Sequence, residues 1–90
     1  MTREKLLEAS ECLESAADAA SDDATRERLQ DIAGQVATRA ESERGPDHGR
    51  MARWQSALDE VLADADDTVA DDVEAAKSLI SDYRQGVAGV

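Results

Sequence analysis

GPDHGRMARW, residues 45–54, holds the only proline, the only histidine and the only tryptophan of the chain, and its reading decides how the helices on either side are arranged. Gly45 suits the left-handed residue that follows a helix end, and Pro46 lacks the N–H that a continuing helix would need. Asp47 carries a short carboxylate able to accept from the free backbone N–H groups of a new helix. The stretch therefore predicts one helix ending at Arg44, a reversal, and a second helix starting near residue 48.

Toward the C-terminus, Met51, Trp54, Leu58, Val61 and Ala65 recur at intervals of three and four, with Leu62 alongside, which is the stripe of an amphipathic helix over 48–64. The acidic DADD, residues 64–67, closes it. Thr68 followed by Asp71 resembles a capping box, although Asp is a shorter arm than the preferred Glu. Val69, Val73, Ala76, Ile80, Tyr83 and Val87 then form the stripe of a last helix over 68–86, and Gly86 and Gly89 favour fraying of its end.

Toward the N-terminus, Thr25, Leu29, Ile32, Val36 and Ala40 mark a helix over 22–44, with Ser21 as its expected cap. Leu6, Ala9, Leu13, Ala16 and Ala20 mark a first helix over 2–20, with Thr2 as its cap. Continuing that spacing would reach Asp23 and Glu27, so the first stripe stops near Ala20.

Four helices joined by short polar turns give antiparallel neighbours. The expected fold class is all-α, a single helical domain over 1–90, built as an up-down-up-down antiparallel bundle or as two paired helical hairpins. Leu, Ile and Val supply 15 of 90 residues and Phe none, while alanine supplies 17. Alanines let helix axes approach but bury little, so Leu6, Leu13, Leu29, Ile32, Trp54, Leu58, Val61 and Ile80 must carry most of the core, with Tyr83 at its edge. Such a core is thin for a chain this short, and a homodimer would enlarge it.

The charge balance narrows the setting. Twenty-one Asp and Glu stand against ten Lys and Arg, a net charge of -11, and only Lys5 and Lys77 are lysines. A surface of this kind repels nucleic acid and anionic membranes, so neither is expected as a partner. In concentrated salt the Debye length falls to roughly 3 Å, which screens carboxylate repulsion, and excluded salt strengthens the burial of small apolar residues. The composition thus fits a halophilic chain. The opening MTREKLLEASE mixes charges of both signs and does not read as a signal peptide, and no apolar run reaches membrane-span length, so a cytoplasmic location is expected.

Little in the chain suggests catalysis. A nucleophile needs a base within hydrogen-bond reach, and the two candidates, Cys12 and His48, stand on different predicted helices. Cys12 lies at the edge of the first stripe, where a small buried hydrophobe is the ordinary reading. No Glu-x-x-His pair, no zinc ligand set and no calcium-loop pattern occurs, so neither metal nor cofactor is expected. A phosphotransfer role for His48 is weakened by its position between Asp47 and Gly49 at a helix start.

The 44–54 corner has two readings. In one, Gly45, Pro46 and Asp47 are helix punctuation, Trp54 fills the core, and the arginines pair with Glu41 and Glu43. In the other, Arg44, His48, Gly49, Arg50 and Arg53 form a contact surface for an anion or a protein partner, because the glycine amides, the helix start and the guanidinium forks all favour negative charge.

GPDHGRMARW together with SDYRQGV, residues 81–87, resembles short, acidic, all-helical haloarchaeal proteins that have no assigned function. The resemblance implies a helical fold and a high-salt cytoplasm, and no activity or cofactor. The function expected is a non-enzymatic module for self-association or for docking an unknown protein partner; the alternative is a small-anion or nucleotide-phosphate sensor at the corner.

Overall fold

The computed structural model describes residues 3–42 and 45–88, apart from the side chains of residues 87 and 88. Within them stand four helices: α1 Glu4–Ala19, α2 Asp23–Glu41, α3 His48–Asp64 and α4 Asp67–Ala88. The fold is an all-α bundle of consecutive antiparallel helices, with extents of 39 × 20 × 17 Å.

Aspartates start three of the four helices. Asp47 begins α3 as its sequence suggests, its Oδ1 accepting the Arg50 backbone N–H at 2.7 Å. The cap of α2 is Asp22 rather than Ser21: Asp22 Oδ2 accepts from both the N–H and the hydroxyl of Thr25, at 2.9 Å each. At α4 the capping side chain is Asp66 rather than Thr68. Its Oδ1 accepts the Val69 N–H at 3.2 Å and the Thr68 hydroxyl at 2.7 Å. A carboxylate oxygen is charged and carries no proton, so a single one can hold a backbone and a side-chain donor together. The expected Thr2 cap, the Arg44 helix end and the Val87 side chain lie outside the described residues.

Helix α2 stops at Glu41, three residues before the expected end, because Ser42 turns its hydroxyl back. Ser42 Oγ donates to the Arg39 carbonyl at 3.0 Å and accepts the Gly45 N–H at 3.0 Å. Gly45 then takes the left-handed conformation, with φ of 70°.

The four apolar stripes converge on one core. Leu6, Leu13, Leu29, Met51, Leu58, Ile80, Val36 and Val73 are its largest fully enclosed side chains, and Trp54 is 3% exposed. Ile32 is buried and Tyr83 is partly buried against the core. The packing is uneven. α1 approaches α2 and α4 closely, α3 rests less tightly on α4, and the backbones of α2 and α3 stay apart. The residue sizes explain this. α1 buries the small Ala9, Ser10, Ala16 and Ala17 beside Leu6 and Leu13, whereas α3 buries Met51, Trp54, Leu58 and Val61, which hold its axis away from its neighbours. The molecule is accordingly two helical hairpins joined along the α1–α4 seam, with a wide α2–α3 seam opposite.

Candidate functional site

Four of the chain's ten cationic side chains, Arg28, Arg39, Arg50 and Arg53, border the wide seam. On α2, Arg28, Asp31, Gln35 and Arg39 follow one another at intervals of three and four and so share one face. On α3, Arg50, Arg53 and Ala57 face them beside the buried Trp54. Two side-chain bridges span the gap. Trp54 Nε1 donates to Gln35 Oε1 at 3.1 Å, which satisfies the indole of a buried tryptophan, and the Arg28 guanidinium donates to Glu60 Oε1 at 2.8 Å.

Beside these bridges lies an open cleft in two parts. One, of about 250 Å³, is flanked by Arg28, Arg50 and Arg53 over Trp54. The other, of about 410 Å³, is flanked by Arg39, Arg50 and Thr38 over Gly34. Asp31, Gln35 and Arg50 border both parts. Asp47 stands at the α3 end of the seam. Its carboxyl is held below the ordinary aspartate range, first by the Arg50 backbone N–H and then by the charges of Arg50, Arg53 and Arg39, with desolvation opposing.

The predicted corner is divided. Arg50 and Arg53 turn toward α2, but His48 lies on the other flank, in a cleft with Gln55, Ser81 and Arg84. There Arg84 Nε donates to His48 Nδ1 at 3.2 Å, and Arg84 Nη1 donates to Gln55 Oε1 at 2.9 Å. Gln55 in turn donates to the Ser81 hydroxyl at 2.8 Å. Gly49 is exposed in the first turn of α3, and Arg44 lies outside the described residues. Among the described residues, neither Arg50 nor Arg53 forms the expected ion pair with Glu41; Glu43 lies outside them.

The remaining chemistry stays dispersed. Cys12 is half-buried on α1 with its thiol pushed up, first by burial and then by the charges of Asp72, Glu11 and Glu8, so it is held in the unreactive protonated form. Asp72 and Arg84 are twelve residues apart on α4, roughly 18 Å at the helical rise, which separates the surroundings of Cys12 from those of His48. Among the described residues, no group of His, Cys, Asp and Glu could hold a metal ion. No helix among them is long and apolar enough to cross a membrane.

Three participants escape a reading of the corner alone: Arg28, Gln35 and Arg39. Their spacing on α2 is visible in the sequence. That α3 would stand opposite, at a distance leaving a cleft, is not.

The sequence model of a family described as a family of unknown function (DUF7553) matches residues 1–86, and the chain belongs to that family. No curated protein and no solved structure matches it.

Proposed function

We propose that the protein is a non-enzymatic helical interaction module of a high-salt cytoplasm, and that its contact face is the α2–α3 seam. A net charge of -11 with two lysines supports the high-salt setting, where carboxylate repulsion is screened. The observation that carries the interaction reading is the contrast between the seams. Where α1 meets α2 and α4, small side chains close the gap; where α2 meets α3, a cleft bordered by arginines remains in a chain otherwise dominated by carboxylates.

The corner proposed from sequence contributes Arg50 and Arg53 to this face, and Arg28 and Arg39 complete it. Self-association and docking of another protein would both use it. The test compares the full chain with an Arg39→Glu/Arg50→Glu/Arg53→Glu variant at molar KCl, by light scattering and by capture from a haloarchaeal lysate. Self-association or a captured partner that disappears in the variant, with helicity unchanged, supports the reading. A monomer that captures the same proteins with and without its arginines refutes it.

A further inference from the structure

Arginines in this structure fall into two sets. Arg26 pairs with Asp23, Arg28 pairs with Glu60, Arg84 bonds His48 and Gln55, and Arg3 bonds Tyr83 and two carbonyls. The guanidiniums of Arg39, Arg50 and Arg53 make no hydrogen bond or ion pair among the described residues. All three border the same seam, and all three lend their charge to Asp47. The chain has 21 carboxylates, yet among the described residues none lies within ion-pair distance of these three guanidiniums.

We infer that these three arginines form a binding site for a phosphate group. The inference rests on the α2–α3 seam being the contact face and names the chemistry received there. A carboxylate is a planar monoanion whose two oxygens accept within one plane, the geometry that a single guanidinium fork matches. A phosphate dianion offers three or more oxygens on different sides and can accept from forks that arrive from two helices. Arg39 arrives from α2, and Arg50 and Arg53 from α3.

Two carboxylates stand against the three guanidiniums: Asp31, which borders the cleft and accepts from Gln35 Nε2 at 3.2 Å, and Asp47, which accepts the Arg50 N–H. One positive charge is left in excess at the seam. Recognition stops at the phosphate. Trp54, the aromatic ring beside the cleft, is 3% exposed and bonded to Gln35, so it offers no face on which a nucleobase could stack.

Phosphate is supplied equally by a small phosphorylated compound and by a phosphorylated side chain. The full chain in molar KCl, where chloride has already competed for weak sites, is titrated with pyrophosphate, with a phosphoserine peptide and with acetate. Trp54 emission and the amide shifts of Gly34 and Arg50 are the readouts. Saturable changes are expected with pyrophosphate or the phosphopeptide and not with acetate, and the tighter of the two identifies the source. Arg50→Gln and Arg53→Gln should each weaken the response by about tenfold or more, with Arg50→Lys recovering only part of it.

No saturable response to either phosphate probe overturns the inference, as does a response that survives Arg39→Gln/Arg50→Gln/Arg53→Gln. Equal response to acetate also overturns it, while leaving the seam intact as a docking face for carboxylates. The capture experiment fails or succeeds independently of all three.

Discussion

Arg3 Nε donates to the Tyr83 hydroxyl at 3.0 Å, joining the start of α1 to the last turns of α4 across 80 residues of chain. The same guanidinium donates through Nη1 to the carbonyls of Ala40 and Ser42 at the end of α2, where helix carbonyls run out of partners along the chain. One side chain therefore ties three helix termini together. It also lies against Gly45, where a Cβ would collide with it.

Replacing Arg3 with Ala removes donors from two part-buried carbonyls and a tyrosine hydroxyl, and should lower stability by about 2 kcal/mol in thermal or urea unfolding at molar KCl. Arg3→Lys should recover little, since a single ammonium cannot reach Tyr83 and the α2 carbonyls along the divergent directions of a guanidinium. Full recovery by Lys would show that charge alone accounts for the effect.

Two glycine substitutions should act in opposite directions. Gly45→Ala places a Cβ at φ of 70° against Arg3, and should destabilise by about 1–2 kcal/mol from the backbone alone, with more from displacing Arg3. Gly34→Ala, in the interior of α2 with nothing within 4 Å of the added carbon, should stabilise by about 0.5–1 kcal/mol. Equal signs in unfolding experiments would contradict the geometry at one of the two sites.

The uneven packing predicts uneven tolerance of added bulk. Ala16→Leu, on the enclosed face of the closely packed α1, should destabilise by about 1–3 kcal/mol. Ala57→Leu, half-buried beside the wide seam, should change the unfolding midpoint little. Leu13→Ala should lower stability by about 2–5 kcal/mol, a large share for so thin a core.

Acid should unfold the protein through its caps. Asp22 is held below the ordinary aspartate range foremost by the Thr25 backbone N–H, Asp47 by that of Arg50, and Asp66 foremost by the Thr68 hydroxyl. Each is more acidic folded than unfolded. Its contribution is therefore present above the ordinary aspartate value near pH 4, and is lost as pH falls through the lower folded value. Unfolding midpoints measured from pH 6 to pH 2 at fixed KCl should fall at the acid end. An Asp22→Asn/Asp47→Asn/Asp66→Asn variant keeps side-chain caps but not the titration, and its midpoints should fall less steeply. An equally steep fall would remove the caps from the explanation.

Helicity should rise with KCl. With a net charge of -11 on a short chain, dilute buffer leaves carboxylate repulsion unscreened, whereas molar salt confines it to roughly 3 Å. Circular dichroism from dilute buffer to near-saturated KCl tests this directly. Full helicity in dilute buffer would count against a halophilic setting.

What the sequence determined by itself is local. Backbone hydrogen bonds in a helix close over four residues, so the stripes at three and four, the glycine and proline after α2 and the aspartate before α3 were sufficient to place four helices, with starts displaced by one or two residues where aspartates outcompeted Ser21 and Thr68. Even the division of the corner was readable, since residues two apart on a helix do not share a face and His48 must point away from Arg50.

Only the tertiary structure decided which faces met: that the alanines of α1 would draw in two neighbours while the large side chains of α3 held it off α2, and that Arg3 would reach Tyr83. Those outcomes depend on volumes summed over helices distant in the chain and on donors that no local pattern pairs. The cleft between α2 and α3 exists because side-chain size, unlike helical periodicity, takes effect only when elements pack.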